Sequence, residues 1–358
     1  MVQRSLLDTS YPTRSRSCGS TTSLARAWHG RRSVSSVSDV AVLAENVDVV
    51  YTGRQSSKRA LDGLNLSISP GVVHAILGPN GAGKTTFIRV ATTLLIPTSG
   101  RVSVHGLDVV RQAGAVRDII GVAGQYATVD ESLTGRENLL LTGTLYGLSR
   151  DERASRAADL LERFDLVDAA DRPTKTYSGG MRRRLDLAAS LTGDPQVLFL
   201  DEPTTGLDVR TRNALWEEVK AIADRGVTIV LTTQYLEEAD ALASRISIID
   251  AGRVVVEGTP AELKSTVGEE ILTLIPVDAH LLGNLAEAVG GEIVDGTVRA
   301  RTKRHGVTNV LETALAVGPL SSVTTTTASL DDVFLAYTGH IAEEEQPPAP
   351  TSRWGRRR

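Results

Sequence analysis

The chain has 358 residues, 41% of them hydrophobic and 23% charged, with a formal net charge of −4. That length is enough for one large domain, or one large and one small, with a real core. A lone cysteine, Cys18, excludes an internal disulfide framework; no apolar run exceeds five residues, where a membrane-spanning helix needs about 20; and the acidic balance gives no sign of a nucleic-acid partner.

Residues 1–38 stand apart. They hold ten serines, six arginines and one acid, a net charge of +5. This is the composition of an organelle transit peptide; the plainer reading is a disordered extension or a start placed too far upstream, and an apolar h-region is missing. From there the pattern is α/β. Short apolar runs at 72–77, 197–200, 228–232 and 246–250 read as buried strands. Helical patterns at 153–164 and 213–223 alternate with them. Ala251-Gly252 marks a tight turn between 246–250 and a further strand at 254–257. Near Pro260 the pattern changes. Strand 271–277, helix 280–289, strand 292–294, strand 297–301, helix 306–317 and strand 322–327 follow in the order β-α-β-β-α-β, which predicts a small ferredoxin-like domain. A short helix comes next, with Ser329 as N-cap and Asp332 three residues on. Residues 341–358 read as a polar tail. The expected division is therefore an extension at 1–38, a main domain at 39–265, an accessory domain at 266–340 and a tail at 341–358. The tail carries +1, which leaves −10 for the residues between the two ends.

Two segments carry chemistry. Gly78-Pro79-Asn80-Gly81-Ala82-Gly83-Lys84-Thr85 matches G-x-x-x-x-G-K-[ST] between the strand at 72–77 and a helical run at 85–95. Glycines let successive N–H groups wrap phosphates, and the helix start adds its positive end. Lys84 is placed to reach the β- and γ-phosphates, and the Thr85 hydroxyl to ligate Mg²⁺. The pattern thus points to ATP and Mg²⁺; the plain alternative is a glycine-rich turn. The run Val197-Leu198-Phe199-Leu200 ends in Asp201-Glu202. Asp201 is suited to hold Mg²⁺ and Glu202 to accept a proton from an attacking water. The plain alternative is an acid pair capping a loop.

Three further segments narrow the class. Gln125 follows the apolar stretch 119–123, Tyr177-Ser178-Gly179-Gly180-Met181 stands upstream of Asp201, and Pro203-Thr204-Thr205-Gly206-Leu207-Asp208 follows the acid pair. In this order, over residues 41–265, the chain resembles the ATP-binding subunit of ABC transporters. The resemblance implies an α/β P-loop ATPase with antiparallel β and helical subdomains, beside the small α+β domain. It implies that Tyr51 stacks on adenine, although Tyr51 also reads as an ordinary strand aromatic. Thr86 would join the phosphate loop, and Gln125 would contact Mg²⁺ and the water. Ser178, Gly179 and Gly180 would close over the γ-phosphate held by a second subunit, and Asp208 would lie at the interface of that homodimer.

Two positions depart from the family pattern. The signature reads Tyr-Ser-Gly-Gly-Met where Leu-Ser-Gly-Gly-Gln is usual, and Gln234 stands where most members carry histidine. Glutamine can donate a hydrogen bond to the γ-phosphate but cannot carry a proton, so Glu202 is the expected base. Gln234 with its Glu237-Glu238-Ala239-Asp240 sequel, the small C-terminal domain and Leu330-Asp331-Asp332-Val333-Phe334-Leu335 resemble the daunorubicin/doxorubicin-resistance subfamily. That likeness implies drug export through a separate ABC-2 type membrane subunit, at the cytoplasmic face of an actinobacterial membrane. The 33 arginines against six lysines agree with a high-G+C source. Lipid or polysaccharide export is the nearest alternative. A soluble ABC-type regulator is the more distant one: tandem translation ATPases carry two phosphate loops, and repair ATPases carry long coiled coils. Here there is one loop, with Lys84 and Ser178 only 94 residues apart. The accessory domain is expected to support the dimer, to bind the membrane partner, or only to pack.

Overall fold

The structure is a computed structural model, and it describes residues 40–53, 57–124, 129–267, 271–302, 306–326 and 328–339. The expectations for residues 1–38, Gln125 and residues 341–358 lie outside the described residues. In chain order, β1 (Val42–Thr52) and β2 (Ser57–Ile68) form a hairpin, and β3 (Val73–Leu77) leads into α1 (Lys84–Ala91). Next come β4 (Ser99–Val104), β5 (Leu107–Asp108), α2 (Ala113–Ile119) and β6 (Ile120–Ala123). Three helices follow: α3 (Gly135–Leu145), α4 (Arg150–Arg163) and α5 (Gly179–Ser190). Strand and helix then alternate through β7 (Val197–Asp201), α6 (Val209–Ala223), β8 (Thr228–Thr233) and α7 (Leu236–Leu242). The hairpin β9 (Arg245–Asp250) and β10 (Arg253–Gly258) precedes α8 (Pro260–Val267).

The central sheet has six strands in the order β10-β9-β3-β8-β7-β6. From β9 to β6 all neighbours are parallel, and β10 closes the edge antiparallel. Every residue of β3, β7 and β8 is buried, as a parallel sheet covered on both faces requires. One face packs against α1 and the antiparallel sheet β2-β1-β4-β5, around Phe87, Phe199 and Leu61. The other face packs against the helical layer, around Phe164, Leu185 and Leu139. Capping boxes start α3 at Thr134–Glu137 and α4 at Ser149–Glu152, each satisfying two N–H groups that a helix start leaves open.

The helix expected over 85–95 ends at Ala91. Thr93 takes a positive φ of 66°, and the N–H groups of Leu94 and Leu95 both turn back to the Arg89 carbonyl. Leu94 and Ile96 are left in solvent.

The C-terminal unit comprises β11 (Ile271–Pro276), α9 (Leu282–Val289), β12 (Glu292–Val294), β13 (Thr297–Arg301), α10 (Gly306–Val317) and β14 (Leu320–Thr326). Its sheet is antiparallel in the order β12-β13-β11-β14, so the first and third strands are central, as in a ferredoxin-like unit. Leu272, Leu274, Val298 and Ala300 face Leu285, Val310 and Ala314 of the two helices. The last helix, α11 (Leu330–Thr338), has the expected Ser329–Asp332 capping box. Its apolar face leaves that sheet altogether. Leu330, Val333 and Phe334 pack with Ala75 and Leu77 of β3, Leu236 and Ala239 of α7, and Leu263 of α8.

Candidate nucleotide site

The phosphate loop runs from the C-terminal end of β3 to the start of α1, where an open α/β sheet presents its ligand crevice. Its glycines are structural requirements. A Cβ at Gly78 would collide with the Ile249 carbonyl, and one at Gly83 would lie 2.6 Å from the Ala60 carbonyl. Gly81 and Gly83 have φ of 84° and 114°, conformations that side chains disfavour. Ala82 is pinned on both sides: its N–H donates to the Pro79 carbonyl (3.2 Å), and its carbonyl accepts from the Gly252 N–H (2.9 Å). Thr86 lies half-buried in the first turn of α1.

Lys84 is buried, and its ammonium donates to the Gly78 (2.7 Å) and Pro79 (3.2 Å) carbonyls. It also stands 3.7 Å from Glu202 Oε1. The Thr85 hydroxyl donates to Asp201 Oδ1 (3.3 Å), and so does the Thr232 hydroxyl (2.5 Å). Thr232 therefore fixes the Asp201 carboxylate from β8, and its backbone carbonyl also accepts the Glu202 N–H (3.0 Å). Glu202 adopts φ 49°, a left-handed conformation that costs a non-glycine residue about 1–3 kcal/mol. Strain of this kind is held by surrounding contacts, here those of Thr232. Gln234 sits just past β8, and its Oε1 is buried with no hydrogen-bond partner. The structure thus brings together Gly78–Thr85, Asp201, Glu202 and Thr232. The fit to a nucleotide and a hard cation is good: a glycine cradle that a Cβ would fill, two oxygen donors side by side, and an orphaned amide oxygen. Among the described residues no group of three His, Cys, Asp or Glu could hold a metal alone, so a cation here would share phosphate oxygens.

Tyr51, on β1, is 39% exposed and pairs across the strands with Lys58 of β2. It is not a core aromatic.

The signature residues form a second group. Ser178 caps α5, its hydroxyl accepting from the Met181 N–H (3.2 Å). A Cβ on Gly179 would meet nothing within 4 Å, whereas one on Gly180 would lie 2.6 Å from Thr211 Cγ2. Asp208 caps α6, accepting from the N–H and the hydroxyl of Thr211 (2.9 Å each), and these bonds hold its carboxyl below the usual range. The departure at Tyr177 has a physical role: the buried phenol donates to the Ala169 carbonyl (2.6 Å), fastening the signature turn to the segment after α4. Met181 packs on the helical core.

The motifs assign no role to three residues of this region, Thr232, Arg183 and Glu238, although Glu238 lies in the sequel to Gln234; Arg183 and Glu238 are both buried behind the site. Burial pushes the Glu238 carboxyl up, and its Oε1 accepts from the Trp216 indole N–H (3.3 Å). A charged residue in an apolar helical pattern was the available signal.

A phosphate loop, a strand-end acid pair and a Ser-Gly-Gly helix start, on one sheet with this helical layer, define an ABC ATPase. The chain belongs to the ABC transporter ATP-binding family, whose pattern matches residues 61–205, and it is an ATP-binding ATPase of that kind. It is 48% identical to the daunorubicin/doxorubicin resistance ATP-binding protein DrrA of Streptomyces peucetius, over 82% of this chain and 91% of that protein. It is 42% identical to a doxorubicin resistance ATP-binding protein of Mycobacterium tuberculosis (84% of this chain, 94% of that one). It is 37% identical to a Nod factor export ATP-binding protein of Paraburkholderia xenovorans (80% and 94%). Among solved structures it is similar to the dimeric, post-hydrolysis ATP-binding cassette MJ0796 bound to ADP and Pi. The TM-score is 0.57 at 28% identity, covering 61% of this chain and 98% of that one.

Proposed function

We propose that this chain drives export of a hydrophobic, drug-like compound, acting as a homodimer beneath a separate membrane subunit of the ABC-2 type. The observation that carries the reading is the closed acid–lysine–threonine constellation: Lys84 beside Glu202, and Thr85 beside Asp201. It supplies hydrolysis. Among the described residues no helix is long and apolar enough to cross a membrane, so a transport role calls for a partner that spans it. The chain would then sit at the membrane's cytoplasmic face. Drug as cargo rests on the relatives' names; the Nod factor export relative favours a second reading, a lipid-like or polysaccharide cargo.

In this reading the phosphate loop, from Gly78 through Pro79, Asn80, Gly81, Ala82 and Gly83 to Thr86, binds the phosphates. Lys84 turns from its loop carbonyls to them. Tyr51 offers its exposed ring to adenine. Thr85 and Asp201, with Gln125, would hold Mg²⁺, which would screen phosphate charge. Glu202 takes the proton of the attacking water, and Gln234 orients without exchanging a proton. Ser178, Gly179 and Gly180 present their N–H groups to the nucleotide of the second subunit, with Asp208 beside them.

The test is reconstitution with a membrane subunit of the ABC-2 type. ATP-dependent accumulation of doxorubicin in inverted vesicles, lost with Lys84→Ala, is the expected result. ATP hydrolysis without doxorubicin uptake, but with uptake of a labelled glycolipid, would move the cargo to the second reading.

A further inference from the structure

Arg183 is a charged side chain in a place where charge is expensive. It lies on α5, five residues past the capping Ser178, and is buried. Its guanidinium reaches in three directions. Nε donates to the Pro203 carbonyl (2.7 Å), Nη1 donates to the Gly124 carbonyl (2.6 Å), and the same nitrogen meets Asp186 Oδ2 at 3.3 Å. Asp186 is fully buried one turn along the helix and supplies the counter-charge.

The two carbonyls are not arbitrary. Pro203 follows Glu202, the proposed base, and Gly124 precedes Gln125. Both belong to non-regular backbone leaving the ends of β7 and β6. Buried carbonyls of this kind must find a donor, and a ladder neighbour is not available past a strand end. An apolar side chain would remove the donor from both carbonyls and the counter-charge from Asp186, so the place calls for a cationic donor. The planar fork says why that donor is arginine. Arginine can hold two acceptors at fixed separation, which a lysine ammonium on a flexible stem cannot.

We propose that Arg183 is a positioning residue for hydrolysis, tying the signature helix to the backbone beside Glu202 and beside Gln125. One rigid side chain then makes the three segments move together, so that docking of the signature helix against a second subunit is felt at the base. The proposal rests on the assignment of Glu202 as the base.

The experiment measures ATP affinity and single-turnover hydrolysis for wild type, Arg183→Met, Arg183→Lys and Glu202→Gln in the full chain. Arg183→Met is expected to lower the hydrolysis rate about tenfold or more while ATP affinity stays within about threefold, because the phosphate loop is untouched. Arg183→Lys, with the charge but one carbonyl at most, is expected to fall between the two. In the Glu202→Gln background, Arg183→Met is expected to add little, since both changes act through one group. A folded Arg183→Met protein hydrolysing within twofold of wild type overturns the proposal. So does a parallel loss of affinity and rate, the mark of a merely structural role. Should Arg183→Met fail to fold, Arg183→Lys carries the test: a wild-type rate there also overturns it. A wild-type rate for Glu202→Gln would instead overturn the base assignment, a separate failure.

Discussion

The phosphate loop and the signature turn are both helix starts suited to phosphate, yet they are finished to different degrees. Around the phosphate loop the charged groups are partnered within the chain. Lys84 donates to Gly78 and Pro79, and Asp201 accepts from Thr85 and Thr232. At the signature, among the described residues, the Ser178 hydroxyl serves its own helix, and a Cβ on Gly179 would face open space. The first region is a binding half complete in one chain. In the proposed reading the second is a prepared surface whose counterpart lies in a second subunit, as a dimer sandwiching nucleotide requires.

Substitutions can break each half separately. Lys84→Ala removes the buried ammonium and is expected to abolish turnover, with ATP affinity down about a hundredfold or more, read by equilibrium dialysis. Glu202→Gln leaves the cradle intact. Hydrolysis should fall by about 10²–10⁴, while ATP now holds a stable dimer, seen by sedimentation. Gly179→Ala attacks only the second half. Space is open there and φ is ordinary, so melting should be unchanged or slightly raised; turnover should still fall by about a hundredfold. A Gly179→Ala protein with full activity would remove the signature from the mechanism and dissolve the contrast.

The smallest effect touches neither half. His74 on β3 is fully buried against the Ser247 hydroxyl (2.8 Å), and burial lowers its pKa to about 4. The unfolded chain binds that proton near pH 6.5, so the neutral form stabilises the fold above that value. This stabilisation is lost as the pH falls from about 6.5 toward 4. Going from pH 7 to pH 5 should cost about 2 kcal/mol of unfolding free energy, measured by urea titration. His74→Gln should flatten that slope.

The legible part of the site was the part written in consecutive residues. Gly78 to Thr85 and Asp201-Glu202 are local patterns, because a strand end and a helix start must be covalently adjacent to cradle a phosphate. The C-terminal sheet order followed from alternation and short turns. What escaped was contact at long range. Thr232 acts on Asp201 through strand pairing across β8 and β7, and Arg183 reaches backbone just past the ends of two other strands. No spacing rule marks either one. The capping box at Ser329 marked where α11 begins, but an amphipathic face does not say which surface it will cover.

That last placement sets a timetable. Phe334 completes an apolar cluster whose other members include Ala75 and Leu77, the strand that carries the phosphate loop. A growing polypeptide leaves the ribosome N-terminus first. The strand feeding the nucleotide site must therefore wait, with part of its apolar back uncovered, for more than 250 residues of further synthesis. Only when α11 emerges and docks is that back closed, so a chain broken off before Leu330 would carry every ATP-binding motif and still present an open, aggregation-prone face.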